Sequence, residues 1–221
     1  MESSQLLIFD LDDTIFETRS IGQHHVASIL DTFKASISSC FRTDEVDLII
    51  SDLWKYPFDH VSEKYNLDNP IKKQFSNSIN GLEYKLELKA FGDFELVRNI
   101  ETKKILVTTG FKKLQLAKIS ALKLQDVFEE IYIDEIDSTD RIHKKGIFEQ
   151  LVNSYEEEQF NHFVIGDNPQ SELKAGYELG LTTVQVAKFS QPRSSYATYY
   201  IENFRDLVQI LGKNNRKFGG N

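Results

Sequence analysis

A short apolar run at residues 6–9 is followed at once by three carboxylates, Asp10, Asp12 and Asp13. An apolar run of this length is typical of a strand buried on both faces, as in a parallel sheet covered by helices. Residues two apart in extended chain point the same way, so we expect Asp10 and Asp12 to share a site and Asp13 to face away. Two carboxylates that close need a cation or a shared proton, and hard oxygen ligands suit Mg²⁺. An acidic turn is the alternative interpretation of these residues taken alone.

The pattern changes twice after this run. Residues 17–89 carry apolar side chains at helical spacing, with an interruption at Pro57, and contain no convincing parallel-strand run. From residue 90 onward, strand-like runs at residues 104–107, 130–133, 162–165, 182–186 and 199–201 alternate with helical patterns. This order predicts an α/β fold, a doubly wound parallel sheet built from residues 1–16 and 90–212, with a small α-helical domain inserted at 17–89. The polar, glycine-rich residues 213–221 are predicted to form a flexible tail.

Composition narrows the classes of partner. The chain has 221 residues, 40% of them hydrophobic and 27% charged, which is ordinary for a soluble globular protein. Its net charge of −8 gives no electrostatic footprint for nucleic acid or an anionic membrane. The single cysteine, Cys40, rules out an internal disulfide and fits a reducing compartment. With no signal-like N-terminus and no apolar run of about 18 residues, we expect a cytoplasmic protein with neither nucleic-acid nor membrane partners. Composition does not indicate an oligomeric state.

Polar and charged residues also follow other predicted strands, as they follow the first. The second strand ends in Thr108, and the fourth ends in Asp167, with Glu172 in the first turn of the helix that follows. Two adjacent lysines, Lys144 and Lys145, precede another helix. Because the carboxyl ends of parallel strands meet at one edge of a sheet, these groups are expected to converge. Carboxylates for a metal, a hydroxyl for an anion and an ammonium together suit phosphoryl transfer.

Four segments resemble, in order, the motifs of the haloacid dehalogenase-like (HAD) hydrolases. They are residues 9–14 (FDLDDT), residues 105–110 (ILVTTG), a lysine ahead of residues 147–148, and residues 164–172 (VIGDNPQSE). The helical residues 17–89 resemble the family's cap of the first insertion type in position and kind. The resemblance implies a Rossmann-like core, Mg²⁺ as cofactor, and a phosphatase that hydrolyses a small phosphorylated metabolite through an aspartyl-phosphate.

The resemblance also implies roles for the catalytic residues. Asp10 is the expected nucleophile, and Asp12 is expected to protonate the leaving group and then deprotonate the hydrolytic water. Thr108 is expected to bind a phosphoryl oxygen, together with backbone N–H groups near Gly110. Thr109 stands where many relatives have asparagine, so contacts with phosphate or substrate are expected to differ there.

The metal and the lysine follow from the same resemblance. The expected Mg²⁺ ligands are Asp10, Asp167 and the backbone carbonyl of Asp12. Glu172 is expected either to support these ligands from behind or to replace one of them as a direct ligand. A lysine is expected to hold the nucleophile and the phosphate by its charge. The spacing to Phe148 indicates Lys144, with Lys145 as a close second.

Several alternatives stay open on the same residues. A phosphotransferase such as a sugar-phosphate mutase uses the same carboxylates, hydroxyl and lysine. A catalytically silent regulatory domain can also retain these residues. Dehalogenation is disfavoured because that branch of the family works without metal and typically lacks the second aspartate, here Asp12. A receiver domain is disfavoured because its architecture does not suit a phosphoacceptor on the first strand with an insertion after it. The substrate is not indicated.

The predicted helical insertion carries aromatic and histidine side chains that invite a functional interpretation. Packing within the insertion's own core is the expectation for Trp54, Tyr56, Phe58 and Tyr65, rather than a binding slot. We expect His24 and His25 to lie on a helix surface or to pack within the insertion, without a direct function.

Overall fold

A computed structural model describes residues 5–22, 27–54, 56–155, 161–189 and 191–218. One parallel sheet is formed by β1 (Gln5–Phe9), β2 (Lys103–Gly110), β3 (Glu130–Glu135), β4 (Asn161–Gly166), β5 (Thr182–Val186) and β6 (Tyr199–Ile201). The strand order is β3-β2-β1-β4-β5-β6, and every neighbouring pair is parallel. The predicted doubly wound α/β fold is therefore confirmed.

Helices lie in the connections that lead from β1 to β5. Five of them fall between β1 and β2: α1 (Ala27–Ile37), α2 (Thr43–Asp52), α3 (Phe58–Lys64), α4 (Asn69–Gly81) and α5 (Glu95–Arg98). The others are α6 (Lys112–Ala121) after β2, α7 (His143–Ser154) after β3, α8 (Glu172–Glu178) after β4 and α9 (Phe204–Phe218) after β6. No helix within the described residues is long and apolar enough to cross a membrane.

Strand β1 is buried from both sides. Leu7 and Phe9 pack into the hydrophobic cluster on one face of the sheet, and Leu6 and Ile8 pack into the cluster on the other. All four side chains are fully buried. Each such side chain contributes about 1.5–3 kcal/mol relative to exposure. Two covered faces explain why the strand sequence is apolar throughout and does not alternate.

Residues 17–89, called the helical insertion below, have a separate hydrophobic cluster. Its centre holds Phe33, Phe58 and Phe75, and Phe111 reaches into it from the loop after β2. The two connections to the sheet run side by side, since residue 16 bridges to residue 90 and residue 91 donates its N–H to residue 15 at 2.8 Å. These features favour the predicted boundaries, and the division into core and cap stays a prediction.

The last helix is longer than its apolar pattern indicates. Residues 213–218, expected in a flexible tail, continue α9 to Phe218, while residues 219–221 lie outside the described residues. Gly212 does not end the helix, because an interior glycine costs only about 1 kcal/mol relative to alanine.

The strand order reverses at β1, which lies between β2 and β4. Connections on either side of this reversal leave in opposite directions, so a crevice opens at the carboxyl ends of β1, β2 and β4. This is the edge at which the sequence predicts that catalytic side chains converge.

Candidate active site

Acidic residues from β1, β4 and α8 meet at this edge. Asp10 follows β1 directly, and its backbone N–H donates to the carbonyl of Ile165 in β4 at 2.9 Å, which fixes it beside the end of that strand. Carboxylate oxygens of Asp10, Asp167 and Glu172 all lie within 4.8 Å of one another. The structure thus brings together three carboxylates that are separated by up to 162 positions in the sequence, from residue 10 to residue 172.

Lys144 lies among these carboxylates. It is the second residue of α7, and its Nζ donates to Asp10 Oδ1 at 2.7 Å and to Glu172 Oε2 at 2.8 Å. Its side chain is only 7% exposed. Burial acts to lower the pKa of Lys144, but the charges of Asp10 and Glu172 hold it above its ordinary value. The lysine is therefore a fixed positive charge at the centre of the cluster.

Lys145 lies outside the cluster. Its Nζ pairs with Glu178 of α8 at 2.8 Å, and its side chain is 48% exposed. Successive residues of a helix point about 100° apart, so two adjacent lysines cannot face the same site. Of the two candidates, the structure brings only Lys144 to Asp10.

Glu172 is held in place from the loop before its helix. Its Oε1 accepts the backbone N–H of Asn168 at 2.6 Å, while Oε2 accepts from Lys144. The carboxyl group lies directly over Gly166, where an added Cβ would come within 2.3 Å of Glu172 Oε1. Only glycine at that position leaves room for the carboxylate.

The cluster has more negative than positive charge. Burial raises the pKa of Asp10 to about 7 against the opposing effect of Lys144, and Glu172 raises it further. Burial also raises the pKa of Asp167 well above its ordinary value, with Glu172 and Asp10 adding to the effect. Among the residues that the structure describes, Lys144 is the one ammonium in contact with these carboxylates. The surplus of hard oxygen donors therefore fits a divalent cation such as Mg²⁺.

Asp12 is bound by a second set of donors. Lys118 Nζ contacts its two carboxylate oxygens at 2.8 and 3.0 Å, and Gln115 Nε2 donates to Oδ2 at 2.9 Å. The hydroxyl of Thr18 donates to Oδ1 at 3.2 Å. Every one of these contacts is accepted by Asp12, so the three donor atoms fix the orientation of its carboxylate.

Gln115 and Lys118 are site residues that the motifs do not indicate. Apolar spacing predicts that Leu114, Ala117, Ala121 and Leu124 form one stripe along a helix at the position of α6. Leu124 is fully buried, and the helix also buries Gln115 and Lys118, which are 1% and 5% exposed. Their spacing of three residues places them on one helix face, and this spacing is the signal that could have found them. A buried cation and a buried N–H donor require acceptors. Asp12 accepts from Lys118 Nζ, and Asp12 and the end of β2 accept from Gln115 Nε2.

Residues at the end of β2 lie in two different places, the protein interior and the cavity wall. Thr108 is fully buried, and its hydroxyl accepts from Gln115 Nε2 at 2.5 Å. Thr109 and Gly110 line the cavity above Asp10. The Thr109 hydroxyl donates to Asp134 Oδ2 at 2.9 Å, so this side chain is bound to β3.

Arg141 joins the core to the helical insertion beside this strand end. Its guanidinium contacts both carboxylate oxygens of Asp134, at 2.5 and 2.7 Å, and it also pairs with Asp59 of α3. Thr109, Asp134, Arg141 and Asp59 therefore form a continuous polar chain from the active-site edge to the insertion.

Asp13 does not face away from the site, so that expectation was wrong. It has a positive φ of 54°, and its Oδ1 accepts the backbone N–H of Thr18 at 2.8 Å. The left-handed conformation ends the extended geometry on which the alternation rule depends. Asp13 consequently lines the same cavity as Asp10 and Asp12.

A cavity of about 220 Å³ lies over Asp10, between the sheet edge and the helical insertion. Trp54 and Tyr56, expected in the insertion's own core, line this cavity instead. The reason is that α2 ends at Asp52, so both residues lie in the connection to α3 and not on a packed helix face. Phe58 belongs to the insertion's cluster and also lines the cavity. His24 and His25 lie outside the described residues.

Comparisons with known proteins agree with this architecture. Residues 7–186 match the family model of haloacid dehalogenase-like hydrolases. Glyceraldehyde 3-phosphate phosphatase from Pyrococcus furiosus is 21% identical over 97% of this chain and 96% of its own length. A HAD phosphatase structure from Thermococcus onnurineus has a TM-score of 0.63 at 19% identity, covering 94% of this chain and 98% of its own.

A magnesium-bound structure of the HAD-hydrolase YfnB from Bacillus subtilis has a TM-score of 0.60 at 19% identity, covering 95% of this chain and 99% of its own. Structures with a similar fold include dehalogenases as well as phosphatases, so fold likeness does not choose between these reactions. A family match over residues 7–186, together with the sheet and the acidic cluster, shows that the chain belongs to the haloacid dehalogenase-like hydrolases.

Proposed function

We propose that the protein is a Mg²⁺-dependent phosphatase that hydrolyses a small phosphorylated metabolite through an aspartyl-phosphate on Asp10. The observation that carries the proposal is the pair of carboxylates, Asp10 and Asp12, that line one cavity with different partners. Asp10 lies in the metal-type cluster with Lys144, and Asp12 lies outside it with Lys118. Two carboxylates in different environments can perform two different roles.

Asp10 is the proposed nucleophile. One carboxylate oxygen forms a bond to phosphorus while the bond from phosphorus to the leaving oxygen breaks. Lys144 contacts Oδ1, which orients the carboxylate and offsets negative charge as the phosphoryl group approaches. Burial favours the protonated form of Asp10, and the positive charge of Lys144 opposes this effect.

Asp12 is the proposed acid and base. It gives a proton to the departing alkoxide, then takes a proton from the water that attacks phosphorus, which frees Asp10 and inorganic phosphate. Its present contacts with Lys118 and Gln115 suit the second of these steps, because Asp12 accepts from both. The first step requires that Asp12 carry a proton, and the phosphate of a bound substrate would compete with Asp12 for Lys118.

Bound Mg²⁺ would be held by Asp10, Asp167 and the backbone carbonyl of Asp12, and would supply positive charge to the phosphoryl oxygens. Glu172 would support this arrangement through its contact with Lys144, at 2.8 Å. Thr109 and Gly110 line the cavity, which favours phosphate binding by backbone N–H groups there. Thr108 contributes through its hydrogen bond with Gln115, at 2.5 Å.

The helical insertion is the proposed cap. Its residues Trp54, Tyr56 and Phe58 form the side of the cavity opposite Asp10, which supports a role in excluding water and selecting the leaving group. The same segment is joined to the core through Asp59 and Arg141.

The test is phosphate release from a panel of phosphate monoesters, with Mg²⁺ and with a chelator. We expect release by the wild-type protein with Mg²⁺ and a loss of about 1,000-fold or more in Asp10→Asn, since the nucleophile is removed. Asp52→Asn is the matched control, because Asp52 is a buried aspartate of α2 that pairs with Lys64. Undiminished activity in Asp10→Asn would end the proposal.

A phosphotransferase such as a sugar-phosphate mutase remains the alternative reaction at this site. Product analysis separates the two, since a mutase gives an isomerised phosphate ester without net release of inorganic phosphate. Dehalogenation is tested by halide release from a 2-haloacid without Mg²⁺.

A further inference from the structure

The cavity over Asp10 has two chemically different ends. Its polar end holds the carboxylates and lysines described above, and its other end is walled by side chains from the helical insertion and the loop after β2. This second wall, called the apolar wall, consists of Ile21, Leu30, Leu53, Trp54, Tyr56, Pro57, Phe58, Phe75, Ile79, Phe111, Leu114 and Ile136. Under the proposed function, phosphate occupies the polar end, and the body of the leaving group therefore meets the apolar wall.

Part of the apolar wall consists of packed aromatic rings. The ring centroids of Phe58 and Phe75 are 4.4 Å apart, and Phe111 lies 5.9 and 6.0 Å from them. All three rings are at least nine-tenths buried, so their positions are fixed by the insertion's hydrophobic cluster. A fixed aromatic surface favours an apolar or aromatic body, because no side-chain rearrangement is needed to receive it.

The two lysines of this lining are already paired. Lys118 and Lys144 are engaged with carboxylates, at 2.8 Å from Asp12 and 2.7 Å from Asp10. A second cavity, of about 460 Å³, shares Trp54 and Tyr56 with this one and is lined by Arg19, so a cation for a second anionic group is available there and not at the apolar wall. Several hydroxyls placed against the apolar wall would lose hydration without gaining hydrogen-bond partners.

We infer that the substrate is a phosphate monoester of a largely apolar alcohol, of the arylalkyl or alkyl class. This inference rests on the proposed function and adds a substrate class to it. Phosphate esters of polyhydroxylated alcohols, such as sugar phosphates, are poor substrates by the same reasoning. The mutase alternative therefore loses its usual substrate class.

The test compares benzyl phosphate with glycerol 3-phosphate and a hexose 6-phosphate, all esters of primary alcohols. We expect kcat/KM for benzyl phosphate to exceed the other two by at least about tenfold, the discrimination that one or two apolar groups give in a hydrophobic pocket. The comparison uses the wild-type protein, so it does not depend on the folding of a variant. A preference for glycerol 3-phosphate or the hexose 6-phosphate would overturn the inference.

Variants then test whether the apolar wall causes the preference. Leu53→Asn and Leu114→Asn place an amide at two partly buried positions of the apolar wall. Each is expected to lower the ratio of benzyl to glycerol kcat/KM by about tenfold. Leu48→Asn is the matched control, because Leu48 is on α2 but is 57% exposed and is absent from the described lining. An unchanged ratio in both wall variants would overturn the inference.

Failure of the inference can be told apart from failure of the proposed function. Phosphate release that depends on Asp10 but favours the sugar or glycerol ester refutes the substrate class alone. Absence of Asp10-dependent release from every ester refutes the phosphatase itself, and the inference with it.

Discussion

Replacing Lys144 with methionine tests the charge balance of the site. The change removes an ammonium that lies 2.7 Å from Asp10 and 2.8 Å from Glu172 but keeps a side chain of similar length. At an effective dielectric constant of about 20, each contact is worth about 6 kcal/mol of Coulomb attraction. Desolvation of the ammonium offsets much of this, and breaking a buried ion pair typically costs about 3–5 kcal/mol. We expect Lys144→Met to lose stability in that range without metal.

Lys144→Met is also expected to have a lower kcat. Lys144 is the positive charge held against the proposed nucleophile, and removing one preorganised electrostatic group typically costs about 100- to 1,000-fold in kcat. We expect a loss of that size in phosphate release by Lys144→Met, measured at saturating Mg²⁺ so that metal binding does not limit the rate.

Lys145→Met is the internal control, one position along the same helix. Its pair with Glu178 is half exposed, and such pairs contribute about 0–1 kcal/mol. Chemical denaturation and steady-state assays of both variants give the comparison. Wild-type activity in Lys144→Met, or equal losses in the two variants, would refute the electrostatic reasoning.

Two further predictions concern Asp12 and the metal. Lys118→Met should lower kcat/KM for benzyl phosphate about tenfold more than for 4-nitrophenyl phosphate, because a good leaving group needs less help from a positioned acid; equal losses would show that Lys118 does not act through Asp12. In metal-free protein, stability measured by thermal unfolding should fall as the pH rises from about 4 to about 7, since burial raises the pKa of Asp10 from 3.8 to about 7 and raises that of Asp167. Between these pH values the folded state keeps protons that the unfolded chain has already released, so rising pH favours unfolding. Mg²⁺ should remove this dependence, and a flat metal-free profile would contradict the assignment of the cluster.

Strand ends could be predicted from the sequence because their signal is local. The apolar run before Asp10 and those before Thr108 and Asp167 each mark a buried strand, and parallel topology then brings their carboxyl ends to one edge. The order of motifs along the chain added the identity of the family. None of these steps requires knowledge of which side chains touch.

Partners of side chains could not be predicted in the same way. Lys118 and Gln115 look like surface residues of an amphipathic helix until Asp12 is known to lie against them. The choice between Lys144 and Lys145 depends on the rotation of α7, which packing fixes and spacing does not. Trp54 stands in a largely apolar segment, which favours a place in the core. It lines the cavity instead because α2 ends at Asp52, two residues before it.

Trapping the phosphorylated protein tests the central claim most directly. Asp12→Asn should still accept a phosphoryl group from 4-nitrophenyl phosphate, whose leaving group needs little protonation, but should hydrolyse the intermediate slowly because the base is gone. Acid quenching and peptide mass spectrometry are then expected to show one phosphoryl group on Asp10. Phosphate release without label on Asp10, or label on another residue, would contradict the account.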